Sequence, residues 1–154
     1  IITAACALLV RSWSGGGSEV VLDFPVSRRV DDRSKALPAM MSGVVPLVLP
    51  VPPGATVAEF CTLVDTRITE VLAHQRFPVQ GLAGRVAVNF IPSVFTLDLG
   101  GVSASASYTS SGQIRGFGLF FSAAGDDLCL STAAPGTRWR TGTWRISRAA
   151  CRGC

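Results

Sequence analysis

The chain contains only one histidine, one lysine and one tyrosine among its 154 residues, and these small counts restrict its chemistry. The single histidine, His74, excludes paired-histidine catalysis and a multi-histidine zinc site within this chain. Charged residues make up 16% of the sequence and hydrophobic residues 48%, which excludes a disordered chain and a charged coiled coil. We therefore expect a globular chain of one domain with a hydrophobic core.

The N-terminal apolar run, residues 1–10, is too short to cross a membrane, which takes about 20 residues. No basic residue precedes the run and no convincing cleavage site follows it, so a signal peptide is not indicated. The pattern instead predicts a buried helix over residues 2–13, closed by three glycines at 15–17. A buried helix at the first residue suggests a chain cut from something larger, and no membrane partner is expected.

Acidic residues are missing after Pro135, where five of the fourteen basic residues lie. Without those five arginines, nine basic residues face ten acidic ones, so the net charge of +4 becomes −1. We therefore divide the chain into a near-neutral domain, 1–136, and an irregular basic tail, 137–154. The charge belongs to the tail and does not indicate a nucleic-acid partner for the domain. A non-enzymatic module that binds nucleic acid through the tail's Arg and Trp residues is kept as an alternative.

Five cysteines are scattered along the chain without regular spacing, which favours a reducing compartment and a cytoplasmic location. Cys6, Cys61 and Cys129 lie in apolar runs and are predicted to be small core residues. Cys151 and Cys154 have C-x-x-C spacing, but no second pair accompanies them. No metal site is expected.

The first half of the chain predicts two strands and a long helix. An apolar β-branched stretch at 19–26 reads as a buried strand, and 27–35 as a polar loop. Two prolines, Pro46 and Pro50, restrict the extended run 42–51 to a sheet edge. Thr56 and Glu59 form a capping-box pattern at the start of a helix that runs to about Gln75.

Beyond that helix the periodicity changes to that of strands. Residues 86–91 are short and apolar, and residues 102–109 alternate strictly between small polar and apolar side chains. Further strands are predicted at 117–121 and 128–131, with turns at 110–112 and 125–127. The pattern indicates an antiparallel meander with a packed helix, and hence the α+β class.

Three segments, in chain order, resemble motifs of nonribosomal peptide synthetase condensation domains. Residues 41–47, MSGVVPL, resemble a motif with an N-x-x-P-L core, although Gly43 stands where Asn is usual. Residues 74–79, HQRFPV, are similar to HQ-x-(Y/F)-P-(F/Y)-E, and residues 88–92, VNFIP, to V-N-F/V-x-P. The resemblance extends from about residue 2 to 135 and makes 1–136 a partial condensation domain.

The resemblance implies one chloramphenicol-acetyltransferase-like lobe, a mixed or antiparallel sheet with packed helices. Condensation domains have two such lobes with a tunnel between them, and this sequence matches the second lobe. The family forms amide bonds between aminoacyl or peptidyl thioesters, which carrier domains deliver on phosphopantetheine arms. The implied partners are therefore carrier domains and the missing first lobe, with no cofactor bound directly.

Amide formation in the family is assigned to an HHxxxDG motif in the first lobe, and one histidine cannot supply it. We therefore expect this chain to be inactive alone and assign it no catalytic residue. Two alternatives remain open: a lobe of a carrier- or coenzyme A-dependent O-acyltransferase, and a non-catalytic remnant.

The resemblance also suggests site residues. Asn89 is either a hydrogen-bonding core amide or a tunnel-lining group that orients the acceptor amine. Gly43, Val45 and Pro46 resemble the crossover segment between lobes, or else simply pair at a sheet edge. His74 has no motif that supplies an orienting partner for a base, so we favour a helix-end role and an ordinary surface pair with Glu70. Structural roles in the same motif are expected for Gln75, Phe77 and Pro78.

Overall fold

The computed structural model describes residues 1–77, 85–91, 94–107, 116–124, 127–135 and 144–146. The helices are α1 (Ile2–Trp13), α2 (Asp32–Ala36) and α3 (Val57–Ala73). The strands are β1 (Glu19–Val26), β2 (Gly43–Pro50), β3 (Val86–Ile91), β4 (Val94–Asp98), β5 (Ser103–Ser107), β6 (Phe117–Ala124), β7 (Asp127–Ala133) and β8 (Trp144–Ile146). This content confirms the α+β class. The chain divides into two compact units, of which the first ends at Val88.

The first unit contains a mixed three-stranded arrangement in the order β2-β1-β3. Strand β1 pairs with β2 in antiparallel register from Glu19↔Pro50 to Val26↔Gly43. It pairs with β3 in parallel register at Leu22↔Val86 and Asp23↔Ala87. Strand β2 ends the sheet, as its two prolines predicted, because proline has no N–H to give a second neighbour.

The core of the first unit lies between one face of this sheet and two helices. Helix α1 contacts β1, α3 contacts β2, and the helices contact each other. Leu22, Leu47 and Leu49 on this face are fully buried. The opposite face is less covered, since Val44 and Val48 are 44% and 41% exposed. Alternation along each strand thus separates a packed face from an outer face.

Helix α1 has the predicted bounds but is not buried on all sides. Ala4, Cys6 and Ala7 are buried, whereas Leu8 and Leu9 are exposed, because the helix packs on one side only. The glycines end it as expected: Gly15 and Gly16 have φ of +80° and +77°, a region that other residues rarely adopt.

The predicted loop 27–35 contains a short helix, α2, so that interpretation is wrong in part. Asp31 caps α2 by accepting from the Ser34 N–H at 2.7 Å, and the Ser34 hydroxyl accepts from the Asp31 N–H at 3.2 Å. Five residues are too few to show an apolar period, so the local capping pattern was the available signal.

Helix α3 begins as predicted. The Glu59 N–H donates to Thr56 Oγ1 at 3.3 Å, and the Thr56 N–H donates to Glu59 Oε2 at 2.8 Å. The helix ends at Ala73 with His74 as its C-cap, two residues before the predicted end. Pro78, predicted to close it, lies outside the described residues.

The second unit holds the remaining strands. Strand β6 pairs antiparallel with β7, as the meander predicted, and β7 also pairs with β8. The expected meander is wrong for β5, which pairs with the unpredicted strand β4 in a separate two-stranded sheet. Their turn uses Gly100 and Gly101, with φ of +68° and +88°.

Three residues of the predicted irregular tail, Trp144–Ile146, form β8. So short a segment shows no alternation in sequence, and its partner strand defines it. The rest of the tail and the predicted turn at 110–112 lie outside the described residues, as do Gly125 and Asp126. None of the described helices has the length and apolar character needed to cross a membrane.

Candidate functional site

Gly43 opens β2 beside the side chain of Arg28. A Cβ added at Gly43 would lie 2.5 Å from Arg28 Cζ and 2.5 Å from Nε, closer than real contacts allow. Arg28 itself adopts φ of +57°, a left-handed conformation uncommon for a residue with a side chain. The guanidinium of Arg28 thus occupies the space that a side chain at position 43 would need, and it would have to move aside for one.

Val45 and Pro46 follow on the same strand and lie on opposite faces. Val45 pairs with Phe24 and is 4% exposed, so its side chain belongs to the core of the first unit. Pro46 pairs with Asp23 and is half-buried on the outer face. This placement favours edge pairing for Val45 and puts Pro46 on the less covered outer face.

His74 lies at the exposed end of α3 and contacts backbone. Its Nδ1 lies 3.0 Å from the Glu70 carbonyl oxygen and is the donor, because a carbonyl oxygen only accepts. The expected pair with the Glu70 side chain is wrong, since that carboxylate accepts from Arg67 at 2.8 Å. The geometry gives His74 no orienting carboxylate among the described residues and fits the helix-end role.

Gln75 links the end of α3 to the segment after β1. Its Oε1 accepts from the Arg28 N–H at 2.9 Å, and its Nε2 donates to the Leu72 carbonyl at 3.1 Å. Phe77 is 71% exposed, and its N–H donates to the His74 carbonyl at 2.9 Å. Within this motif the glutamine therefore joins the end of α3 to the segment after β1.

Two further arginines, which the sequence did not single out, fix the same region. Arg29 Nη1 donates to the carbonyls of Ser34 at 2.5 Å and Leu37 at 2.8 Å, and Nη2 donates to that of Ala39 at 2.6 Å. Arg76 Nη1 lies 3.2 Å from Asp31 Oδ2. The contact of Arg76 joins positions 45 residues apart, so no local pattern could have shown it.

Asn89 lies half-buried in the middle of β3. It is two residues from Ala87 and therefore on the same side of the strand. Asn89 is also the first residue of the second unit.

A buried acidic residue that the sequence analysis overlooked lies beside β3. Asp23 is 9% exposed, and its Oδ1 has no hydrogen-bond partner in the described part of the chain. Burial raises the pKa of Asp23, while the charge of Arg85 and a bond from the Arg85 N–H lower it less strongly. Arg85 Nη1 is also buried without a partner there. The only sequence signal was a carboxylate inside an apolar strand.

The described residues contain no cluster of three or more His, Cys, Asp or Glu side chains placed to hold a metal. Cys6, Cys61 and Cys129 are free thiols, and burial raises the pKa of Cys6 to about 11. Cys6 and Cys129 are buried as predicted, whereas Cys61 is half-buried. A buried thiol with a raised pKa, such as that of Cys6, packs as a small apolar group and is a poor nucleophile.

Among known proteins, no family model and no curated protein matches the chain, but solved structures do. The first condensation domain of the calcium-dependent antibiotic synthetase, in complex with a substrate analogue, is 28% identical with a TM-score of 0.65. The match covers 80% of this chain and 29% of that one. A starter condensation domain of rhizomide synthetase, in complex with C8-CoA, is 27% identical with a TM-score of 0.66, covering 78% and 30%.

The chain therefore has the α+β fold of a condensation-domain lobe, which confirms the resemblance and the fold expected from its motifs. It spans about 30% of the length of the condensation domains that it matches. This extent fits a fragment of a nonribosomal peptide synthetase condensation domain.

Proposed function

We propose that this chain is the second lobe of a condensation domain that forms amide bonds between carrier-bound aminoacyl or peptidyl thioesters. The observation that carries the proposal is that this chain matches about 30% of the length of two synthetase condensation domains. Its one histidine, His74, lies at the C-cap of α3. The lobe supplies a wall of the substrate tunnel, and the other lobe supplies the histidine that handles the proton. The chain alone is inactive.

The outer face of the first unit is where the other lobe binds in this proposal. Val44 and Val48 are exposed there, and Pro46 lies between them on the same face. Exposed apolar side chains at adjacent positions on one sheet face are typical of a protein interface. Asn89 has its tunnel role only in the assembled enzyme, where it orients the acceptor amine.

Carrier domains are the further partners, and their phosphopantetheine arms bring both substrates, so the chain itself binds no cofactor. The free cysteines support a reducing, cytoplasmic setting. A lobe of an O-acyltransferase that uses carrier- or coenzyme A-bound acyl groups is the second candidate. It is considered because structures of a matched starter condensation domain were solved with C8-CoA.

The experiment mixes the chain with a separately expressed first lobe from the matched antibiotic-synthetase domain and measures complex formation by analytical ultracentrifugation. Val48→Asp introduces a charge on the outer face and is expected to weaken binding at least about tenfold. Leu8→Asp, at a similarly exposed apolar residue of α1, is the matched control and should bind as the wild type does.

Activity is tested with carrier-bound donor and acceptor thioesters. We expect no turnover from the chain alone and turnover from the two-lobe complex. Turnover by the chain alone would contradict the proposal, because it would place the proton-handling group in this lobe. Transfer to a hydroxyl acceptor but not to an amine would favour the O-acyltransferase.

A further inference from the structure

Strand β3 joins the first unit through a short junction with β1. The structure records two residue pairs between them, Leu22↔Val86 and Asp23↔Ala87, whereas β1 and β2 pair at eight positions. Few backbone pairs mean little cooperative stabilisation, so this junction opens more readily than the β1–β2 ladder.

Asp23 lies inside this junction. Its neighbour Leu22 is fully buried under the helices, so alternation places the Asp23 side chain on the opposite face, where it is still 91% buried (9% exposed). One hydrogen bond reaches the carboxylate from the Arg85 N–H, at the start of the β3 segment. Oδ1 accepts no hydrogen bond within the described residues. A charged carboxylate oxygen that is buried without a hydrogen bond lowers the stability of the folded state.

Charge around Asp23 is sparse. Strand β2, which faces it through Pro46, has no titratable side chain between Gly43 and Pro50, and β3 has none between Val86 and Ile91. On β1 the other charged residue, Glu19, is exposed at the far end, and the helices contact the opposite sheet face. Arg85 is thus the charged group that faces Asp23 within the described part of the chain.

The sign of the effect follows from burial. Because desolvation outweighs Arg85, the pKa of Asp23 is higher in the folded than in the unfolded chain. At low pH the carboxyl group of Asp23 is neutral and the folded state has its full stability. Part of the free energy of unfolding is lost as pH rises through the folded-state pKa of Asp23. Asp23 lies on β1, and its carboxylate accepts from the Arg85 N–H at the start of the β3 segment, so the carboxylate contacts both sides of the junction.

We propose that Asp23 is a charge-sensitive switch of the β1–β3 junction, which pairs firmly when the carboxyl group is neutral and opens more often when it is ionised. A hydrogen-bond donor that reaches Oδ1 from a bound partner would act in the same direction as protonation. The inference concerns this chain alone and does not depend on the proposed amide-forming function.

The test is amide hydrogen exchange by NMR on the full chain over a series of pH values from acid to neutral, corrected for intrinsic exchange rates. We expect protection at Val86 and Val88, whose N–H groups point toward β1, to fall several-fold at the higher pH values, relative to Leu47 in β2. Asp23→Asn should raise their protection at the higher pH values by about fivefold and remove the pH dependence. Asp32→Asn makes the same charge change at an exposed ion pair with Lys35 and should have no such effect.

Unchanged or lower protection in Asp23→Asn would overturn the proposal. It would show that the charge on the Asp23 carboxylate has no effect on the β1–β3 junction or stabilises it. An equal effect of Asp32→Asn would also overturn the proposal. If Asp23→Asn does not fold, carbon-13 titration of the wild-type carboxyl groups decides. The midpoint for Asp23 must exceed that for Asp31 and coincide with the loss of protection; any other order or pH refutes the switch.

Discussion

Arg28 and Gly43 are coupled by shape at the residue scale. The Arg28 guanidinium occupies the space of a side chain at position 43, where an added Cβ would lie 2.5 Å from Cζ. Because the guanidinium ends a flexible side chain, it can move aside, but Arg28 Nε is buried in its present position. We expect Gly43→Ala to destabilise the chain by about 1 kcal/mol, the low end for overpacking because the guanidinium can move, in urea unfolding followed by circular dichroism.

The matched background is Arg28→Gly, which removes the guanidinium and also the left-handed strain at φ of +57°. In that background Gly43→Ala should cost less than about 0.5 kcal/mol, as for a site without a close neighbour. The same cost in both backgrounds would show that backbone pairing, and not Arg28, requires the glycine.

At the scale of elements, Gln75 ties helix α3 to the segment after β1. Replacing it by alanine leaves the Arg28 N–H without its acceptor at 2.9 Å. We expect Gln75→Ala to lower the free energy of unfolding by about 1–2 kcal/mol. His74→Ala removes a bond at an exposed helix end and should cost less than about 0.5 kcal/mol. Equal losses from both variants would contradict the assignment of the link to the glutamine.

The N-terminus of α3 depends on its capping box. Thr56→Ala should destabilise the chain by about 1 kcal/mol, and Thr56→Ser should retain most of the stability because it keeps the hydroxyl. Bonds from Thr56 hold the pKa of Glu59 below its ordinary value of 4.5. The contribution of Glu59 is therefore present above that pH and lost as pH falls below it, so the difference between Thr56→Ala and wild type should shrink in acid. Thermal unfolding at several pH values measures this, and a pH-independent difference would contradict it.

Elements with a local signal were predictable from the sequence, and those defined by distant partners were not. Helix α3 and strand β1 carry a cap or an apolar pattern within their own residues, and both have nearly the predicted bounds. Helix α2 is too short to show a period. The bond between Gln75 and Arg28 joins residues 47 apart, and the burial of Asp23 depends on packing by its neighbours. The site was therefore predicted as motifs, while its contacts required the structure.

For the molecule as a whole, the proposed second lobe requires a sheet with one packed face and one outer face that is less covered along β2. Two adjacent residues of β2 test this division, since Leu47 is fully buried and Val48 is 41% exposed. We expect Leu47→Ala to cost about 2–5 kcal/mol, as core truncations do, and Val48→Ala less than about 0.5 kcal/mol in urea unfolding.

Opposite results would have a direct consequence for function. If Val48→Ala were as costly as Leu47→Ala, the chain itself would cover its outer face, leaving no apolar surface there for another lobe. The proposed interface would then be wrong even though the fold of a condensation-domain lobe stood. If the two costs differ as expected and Val48→Asp also blocks the complex, Val48 contributes to binding and not to folding. That separation is what an incomplete domain predicts, because an interface side chain contributes its stabilisation only after the partner lobe has covered it.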